Sequence, residues 1–550
     1  MSETRAPNMN YRLSADERAE LAPYGEVKHH DAGDVLFDEG DRSVDLCVVL
    51  SGQLDVLLFE DGEERRVGWL EPSQFSGDVS LVTGRPSLVR GVMTKAGEVL
   101  HVPPASLQRL LVERSDLSDA FVTTFIARRA WARAQGRASV VLVGLAFDRD
   151  AFALRDLLVK HDVPHHWVEA DADPKAATIL DRLGLTPADT PLLVTGSKTI
   201  LKKPSPTEAS LALGLDLLPD GACADVVIIG AGPGGLAGAV YAASEGLAVL
   251  VVDASAPGGQ AGLSSKIENY LGFPSGVSGR ELADRATIQA QKFGARIAAP
   301  ARVEALTREN GDYRIVLADG RSFKSRAVVI ASGADYRRLP IEECALYEGR
   351  GIYYGATAME GQLCKGAKAV IVGAGNSAGQ GATFLSKHCE ETHVVYRRAD
   401  IRETMSDYLV RRLEETPNIR LHPSSSVVAL AGDGRRLHAV RIKNEGGEET
   451  IGAPFLFLFI GAEPCTGWLD AELARDGDGF LKTGGDIAPI ELVKAGWPLD
   501  RMPGYYETSW PKVYAVGDVR SGSVKRVASS VGEGSAVVAL IHRALAERPA

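Results

Sequence analysis

The sequence predicts a multidomain α/β protein with a β-rich N-terminal region, and three observations lead to this fold class. A chain of 550 residues exceeds the size of one hydrophobic core. Short apolar runs separated by Gly and Asp turns fill the first part of the chain, as in antiparallel β-structure. Further on, apolar runs alternate with helical patterns, and two glycine-rich turns interrupt the second half, which predicts parallel sheets with helices on both faces.

Composition favours an ordinary globular protein in a reducing compartment. Hydrophobic residues make up 45% and charged residues 24% of the chain. A net charge of −11 argues against nucleic acid or an anionic membrane as the main partner. The six cysteines are scattered, and the polar start MSETRAPNMNYRLS has no signal-peptide pattern. We therefore expect a cytoplasmic protein without a membrane span.

Pattern changes along the chain predict four domains. The first is a β-rich region with a helical tail, and the second is an α/β module of alternating strands and helices. The stretches KKPSPTEA and PDGA are polar and contain proline, so they are interpreted as connectors. The rest of the chain, from Ala222 onward, repeats β-α-β units. Its family resemblance, given below, implies two nucleotide-binding domains of the Rossmann type, one inserted into the other. The predicted limits are 10–135, 138–218, 222–338 with 455–550, and 339–454.

The first glycine-rich turn, DVVIIGAGPGG, has the spacing of a dinucleotide site. Gly230 permits the tight turn, Gly232 lets the backbone approach a pyrophosphate, and Gly235 lets the helix pack against the strand. The start of that helix offers free N–H groups to the phosphates. Asp253 ends the next strand, at the distance of about 20 residues where an acid binds the ribose hydroxyls.

The second turn, AVIVGAGNSA, predicts a nicotinamide site. Gly373, Gly375 and Ala378 occupy the motif positions, with Asn376 and Ser377 between them. The following strand, THVVYRRADIR, ends in arginines instead of an acid. Guanidinium groups bind phosphate oxygens in pairs, so these side chains predict recognition of the 2′-phosphate of NADP. They are Arg397, Arg398 and Arg402.

Residues 222–550 resemble the low-molecular-weight thioredoxin reductase family of FAD- and NADPH-dependent flavoproteins. The resemblance rests on GAGPGG, PGGQ, IENYLGFP, VVIASGA, VGAGNSA, VYAVGDV and GEGSAVV, which occur in the order of the family. It implies FAD and NADPH as cofactors and a homodimer. It also implies FAD contacts beyond the first turn, at Gly259, Gln260, Asn269, Gly333, Gly517, Asp518, Lys525 and Arg526.

The chain departs from this family at its redox centre. The family carries a Cys-x-x-Cys pair that takes electrons from flavin, and the resemblance places those positions at Gly355 and Ala358. Neither can form a thiolate or a disulfide. The resemblance therefore implies an NADPH oxidoreductase that serves another acceptor, such as ferredoxin, flavodoxin or a quinone, and we identify no catalytic side chain.

Two alternatives stay open. One is a thioredoxin-disulfide reductase that uses other cysteines, although Cys364 is interpreted as a small buried apolar residue. The other is a flavin- and NADP-liganded sensor with negligible turnover.

The stretch AGDVLFDEGDRSVDLCVVLSGQLDV resembles the cyclic-nucleotide-binding β-roll. In the phosphate cassette, Gly77 and Asp78 replace Gly-Glu, and the arginine that grips the cyclic phosphate is replaced by Ser87, with Arg85 and Arg90 displaced. A buried phosphate without that arginine loses its compensation for desolvation. A structural or dimerising role is therefore favoured over cyclic nucleotide binding, and no DNA-reading helix-turn-helix follows.

Residues 138–218 resemble the thioredoxin or glutaredoxin fold, and Thr190-Pro191 stands where that fold has its cis-proline turn. The module contains no cysteine, so it cannot exchange dithiols, and we expect a docking or spacing role. His161, His165 and His166 are interpreted as part of a solvated turn and strand, because no complete set of metal ligands accompanies them.

Overall fold

A computed structural model describes residues 9–60, 63–134, 140–195, 199–215, 221–264 and 266–546. The chain divides into two compact units. One comprises Met1–Leu145, Leu154–Pro219 and Ile288–Pro300, and the other comprises Ala146–Ala153, Asp220–Thr287 and Ala301–Ala550. The predicted connector PDGA lies partly outside the described residues. In the described part of the chain, no helix is long and apolar enough to cross a bilayer.

The N-terminal region is a β-roll followed by two helices, as the sequence predicted. Its sheets have the strand orders β1-β7-β3 and β2-β6-β4-β5, with antiparallel pairing throughout. The helical tail breaks at Arg114. The elements are α1 (Ala15–Leu21), β1 (Glu26–His30), β2 (Val35–Phe37), β3 (Leu46–Val49), β4 (Gln53–Glu60), β5 (Glu63–Leu70), α2 (Ser80–Thr83), β6 (Arg90–Lys95), β7 (Gly97–Val102), α3 (Pro104–Glu113) and α4 (Ser115–Ala134).

Aromatic packing fixes α4 against the roll. Phe75, Phe121 and Phe125 are fully buried in one apolar cluster. The Phe75 ring meets the edge of Phe121 at a centroid distance of 4.6 Å, an arrangement that adds to the gain from burial.

The α/β module forms a sheet of order β11-β10-β8-β9, in which β8 and β9 are parallel and the other pairs antiparallel. The Thr190–Pro191 peptide is cis. The connector expected at KKPSPTEA is partly wrong, because a helix begins inside it at Pro206, capped by Ser205. The elements are β8 (Val140–Gly144), α5 (Arg149–Lys160), β9 (His165–Glu169), α6 (Pro174–Leu183), β10 (Leu192–Val194), β11 (Ile200–Lys202) and α7 (Pro206–Ala212).

The next domain combines parallel and antiparallel strands. The strands β13, β12, β17 and β28 run parallel in that order, whereas β15, β16 and β17 form an antiparallel meander, so the prediction of purely parallel sheets was too simple. The elements are β12 (Cys223–Ile229), α8 (Pro233–Ser244), β13 (Val249–Val252), α9 (Gly279–Lys292), β14 (Arg296–Ala298), β15 (Val303–Glu309), β16 (Asp312–Leu317), β17 (Ser322–Ile330) and β18 (Ala334–Tyr336).

The inserted domain has a fully parallel sheet of order β19-β26-β20-β21-β22 and a separate antiparallel sheet β23-β24-β25. Its elements are α10 (Cys344–Tyr347), β19 (Ile352–Tyr353), α11 (Ala358–Leu363), β20 (Lys368–Val372), α12 (Asn376–Leu385), β21 (Glu391–Val395), α13 (Asp407–Glu415), β22 (Ile419–His422), β23 (Ser426–Gly432), β24 (Leu437–Asn444), β25 (Gly447–Ile451) and β26 (Phe455–Leu458). The chain then returns through β27 (Ala462–Pro464), α14 (Pro489–Lys494), β28 (Val513–Ala515) and α15 (Val527–Ala546).

Candidate functional site: two dinucleotide turns

The first glycine-rich turn links β12 to α8, and each glycine has a distinct steric reason. Gly230 has φ +110°, and a Cβ there would lie 2.2 Å from the Ala331 carbonyl oxygen. A Cβ on Gly235 would lie 1.9 Å from the carbonyl oxygen of Gly230. Gly232 faces open space within 4 Å. The turn is therefore closed on the protein side and open at the position where a pyrophosphate must approach.

Asp253 and the PGGQ segment close around this turn. The Asp253 carboxylate accepts hydrogen bonds from the backbone N–H of Ala231 at 2.7 Å and of Ser255 at 2.8 Å. Gly258 N donates to the Ala231 carbonyl at 2.8 Å. A Cβ on Gly259 would lie 3.0 Å from Gly232 Cα. Asp253 thus holds the turn.

Gln260 connects this segment to the next one. Its side-chain amide donates to the Ala334 carbonyl, next to Gly333, which has φ +70°. The Gly333 carbonyl accepts from Cys465 N at 3.1 Å. Segments that are far apart in sequence therefore meet beside the first turn.

The C-terminal Gly-Asp pair is held by a buried ion pair that the sequence analysis missed. Gly517 N donates to Glu533 Oε2 at 2.7 Å, and Arg520 pairs with Glu533 at 2.6 Å. Burial raises the pKa of Asp518, and the Lys525 ammonium opposes that shift. The signal was a lone acid in an apolar helix, since a buried charge requires partners.

The remaining predicted FAD contacts are exposed. Asn269 lies on an exposed turn, and Arg526 is exposed at the start of α15. The Lys525 ammonium lies 4.0 Å over the Phe480 ring.

This geometry fits FAD. The open side of Gly232 is the one place in the turn where a side chain would fill the space needed by the ligand, whereas Gly230 and Gly235 are closed by protein atoms. The N-terminus of α8 and the Asp253 carboxylate are the groups expected to bind the phosphates and the ribose hydroxyls.

The second turn, between β20 and α12, repeats the backbone solution of the first. Gly373 has φ +146°, and a Cβ there would lie 2.4 Å from the Phe459 carbonyl oxygen, whereas Gly375 faces open space. Ala378 is fully buried and Ser377 is exposed. Asn376 Oδ1 accepts from Ser406 N at 2.7 Å, so this side chain ties the turn to the segment that follows the arginines.

Of the three predicted arginines, two are engaged with acids of the protein itself. Arg402 contacts both oxygens of Glu414, at 2.7 and 2.8 Å, and Arg398 pairs with Glu403. Arg397 is exposed and enters no ion pair with the described side chains. A 2′-phosphate can therefore bind Arg397 directly, whereas it competes with carboxylates for the other two.

The position where the resemblance places the first family cysteine lies against the segment that the resemblance assigns to FAD contacts. Gly355 is buried, and a Cβ there would lie 3.0 Å from Leu263 Cβ. Leu263 ends the short helical turn that contains Gly259 and Gln260. Ala358 is exposed and begins α11, after the cap formed by Thr357.

Cys364 has a partner that its spacing did not reveal. It is fully buried, as expected, and it shares an apolar cluster with Cys389, which is 6% exposed. Gly366 N bonds to the His388 carbonyl at 3.0 Å and thereby holds the two segments together. The neighbouring Cys389 thiol and burial raise the pKa of Cys364, so the thiol is protonated at neutral pH.

The histidines of the α/β module differ in environment. His161 is buried, which contradicts the predicted solvated turn, and its carbonyl accepts from Arg85. His165 and His166 lie on β9. In the described part of the chain, no cluster of three ligand side chains is arranged to hold a metal ion.

Comparisons with known proteins match this geometry. The pyridine nucleotide-disulphide oxidoreductase profile matches residues 224–534, and the cyclic nucleotide-binding domain profile matches residues 27–114. Thioredoxin reductase of Treponema pallidum is 30% identical over 314 residues, covering 56% of this chain and 94% of that protein. The enzyme of Bacillus subtilis is 29% identical over 313 residues, covering 56% and 91%. The crystal structure of T. acidophilum thioredoxin reductase matches with a TM-score of 0.52 and 28% identity, covering 59% and 99% of the two chains.

Proposed function

Because the chain belongs to the pyridine nucleotide-disulphide oxidoreductase family and is an FAD-dependent NAD(P)H oxidoreductase of the thioredoxin reductase type, we propose that it oxidises NADPH and reduces an acceptor other than thioredoxin. Bound FAD supplies acceptance of a hydride and release of electrons, while the protein supplies binding and orientation. Candidate acceptors are ferredoxin, flavodoxin and quinones.

The observation that carries this proposal is that Gly355 stands where the resemblance places a redox-active cysteine. Its Cβ position lies against Leu263, in the segment that resembles the family's FAD contacts. A thiol there would be placed to receive electrons, but glycine has no side chain and Ala358 has no sulfur. Electrons must then leave the FAD site without a relay at this position.

The proposed preference for NADPH over NADH rests on an arginine that follows β21. Arg397 is exposed and offers its guanidinium to a phosphate. One charge-assisted contact is worth about 1.5–3 kcal/mol, or roughly 10- to 150-fold in affinity, which is enough to set a preference for NADPH over NADH.

Anaerobic stopped-flow mixing with NADPH tests the proposal. We expect rapid bleaching of the flavin band by NADPH, slower bleaching by NADH, and reoxidation by ferredoxin, flavodoxin or a quinone but not by oxidised thioredoxin. The absence of bleaching would support a liganded sensor instead. Fast reoxidation by thioredoxin would overturn the proposed choice of acceptor.

A second function is favoured by the proximity of Cys364 and Cys389 in one buried cluster. Two neighbouring thiols can cycle through a disulfide, which a thioredoxin-disulfide reductase requires. Their exposures of 0% and 6% argue against access by a protein substrate. The double variant Cys364→Ser/Cys389→Ser distinguishes the two functions, because loss of thioredoxin turnover with intact flavin bleaching supports the disulfide reductase.

We further propose that residues 138–218 form a thioredoxin-like module and that the chain is a homodimer. The order β8-α5-β9-α6-β10-β11-α7, with one parallel and two antiparallel pairs, supports the first point. Similarity to thioredoxin reductases supports the second. Sedimentation of the FAD-loaded chain tests the dimer, and a single species at the mass of one chain would contradict it.

A further inference from the structure

The β-roll encloses a cavity of about 630 Å³, which is within the range of small-molecule pockets. Its walls are largely apolar, and aliphatic and aromatic side chains from several strands and from α4 face it. Among them are Phe37, Leu58, Leu70, Val89 and Trp131. A cavity with such walls favours a ligand with an apolar body.

The polar end of the cavity is not built for a cyclic phosphate. Ser87, in the place of the phosphate-gripping arginine, is buried and donates its hydroxyl to the Val89 carbonyl at 2.8 Å. The Asp78 carboxylate is neutralised by Arg129 at 2.8 Å. The Glu71 carboxylate, which also lines the cavity, is paired with Arg12.

Arg128, on α4, supplies the open donor. Its Nε donates to the Met9 carbonyl at 3.0 Å and its Nη1 to the Gly77 carbonyl at 2.8 Å. Its Nη2 is buried and has no hydrogen-bond partner among the described residues. Burial lowers the pKa of Arg128 to about 10, so the guanidinium stays charged at neutral pH. A buried charged donor without a partner is costly, and a ligand acid would satisfy it.

We propose that the β-roll binds an amphipathic monocarboxylate, with its acid on Arg128 Nη2 and its apolar body against Leu58, Leu70 and Trp131. The Nη2 group offers its N–H donors to a carboxylate, while Nε and Nη1 are held by backbone carbonyls, so the donor is fixed before binding. Arg128 takes over the role of anion anchor from the cassette position now occupied by Ser87.

Isothermal titration of the full-length, FAD-loaded protein with decanoate, 1-decanol and cyclic AMP tests the proposal. We expect decanoate to bind one per chain, 1-decanol to bind at least about tenfold more weakly because it lacks the charge, and cyclic AMP to be weaker than decanoate. Failure of decanoate to bind, equal affinity for decanoate and 1-decanol, or tighter binding of cyclic AMP would each overturn the proposal.

Two variants locate the anchor. Arg128→Gln should reduce decanoate affinity to the level of 1-decanol, and Arg85→Gln, which changes another arginine that lines the cavity, should leave decanoate affinity unchanged. The reverse pattern would overturn the assignment. If Arg128→Gln lowers the melting temperature of the roll, Leu58→Trp replaces it as the test. That variant fills the apolar part of the cavity and should weaken both decanoate and 1-decanol.

Discussion

The two glycine-rich turns share a backbone design but differ in what surrounds them. Gly230 and Gly373 both have positive φ, and a Cβ on either would lie within 2.5 Å of the carbonyl oxygen of the residue that follows a neighbouring strand. Gly232 and Gly375 both face open space. The first turn is braced by the carboxylate of Asp253, whereas no acid ends the strand after the second turn, which leads into arginines.

We expect this difference to separate phosphate binding from the choice between nucleotides. The backbone of each turn offers N–H groups to a pyrophosphate without regard to the rest of the nucleotide. The side chain at the end of the next strand then chooses between ribose hydroxyls and a 2′-phosphate. Selection therefore depends on few residues, which makes the comparison easy to test.

Alanine substitutions in the first turn should have the largest effects, on stability at Gly235, which protein atoms enclose, and on FAD content at Gly232, which faces open space. Gly235→Ala should lower the free energy of unfolding by several kcal/mol, because its Cβ would lie 1.9 Å from a backbone oxygen. Gly232→Ala should leave the apoprotein stable and reduce the FAD-to-protein ratio. Thermal unfolding of the apoprotein and flavin content are the measurements. Equal destabilisation of the apoprotein by both variants would contradict the view that Gly235 serves packing and Gly232 serves the approach of the ligand.

Single arginine variants near the second turn should have the next largest effect, which is on the affinity for NADPH. Arg397→Ala should raise the dissociation constant for NADPH about 10- to 150-fold and leave that for NADH unchanged, because only the 2′-phosphate contact is lost. Arg402→Ala should cost less, since Arg402 is bound to Glu414 at 2.7 Å. Titration of both coenzymes measures this. A larger loss from Arg402→Ala would show that the coenzyme displaces Glu414.

Reintroducing the dithiol tests whether the site between the two turns is otherwise intact. The variant Gly355→Cys/Ala358→Cys should raise thioredoxin turnover at least about tenfold over the parent chain, because the new sulfur at 355 would adjoin the FAD-binding segment. Gly355→Ser/Ala358→Ser is the matched control without sulfur. The Cβ contact with Leu263 at 3.0 Å is tight, so flavin content must be measured alongside. An equal gain in the serine control would contradict a sulfur relay.

Sequence predicted those parts of the fold and site that depend on local patterns. Glycine spacing located both turns, and apolar periodicity located the helices beside them. It missed contacts between distant segments. Glu533 beneath Gly517 and Cys389 beside Cys364 become partners only when the sheets form. The role predicted for the arginines after β21 stays a prediction, and the pairing of Arg398 with Glu403 and of Arg402 with Glu414 depends on how the chain folds after that strand.

The smallest expected effect is on stability, and it concerns one acid near the start of a strand in each of the two sheets that precede the glycine-rich turns. Glu391, at the start of β21, bonds to Lys368 at 2.9 Å and Arg420 at 3.0 Å, and these contacts lower its pKa to about 2. Asp225, near the start of β12, is held by the backbone N–H of Ala248 and by Arg326, which lower its pKa. Both acids therefore stabilise the fold in their charged forms.

Glu391→Gln should reduce the free energy of unfolding at pH 7 by about 1 kcal/mol after allowance for solvent screening. The folded pKa is below the ordinary value of 4.5, so this stabilisation is complete above pH 4.5 and disappears as the pH falls towards 2. Unfolding measured from pH 7 down to pH 3 should show the difference from the parent shrinking. Asp225→Asn is the matched variant for the other sheet, and its difference from the parent should shrink in the same direction. A difference that grows on acidification would contradict the ion-pair explanation, because protonation would then be strengthening the contact.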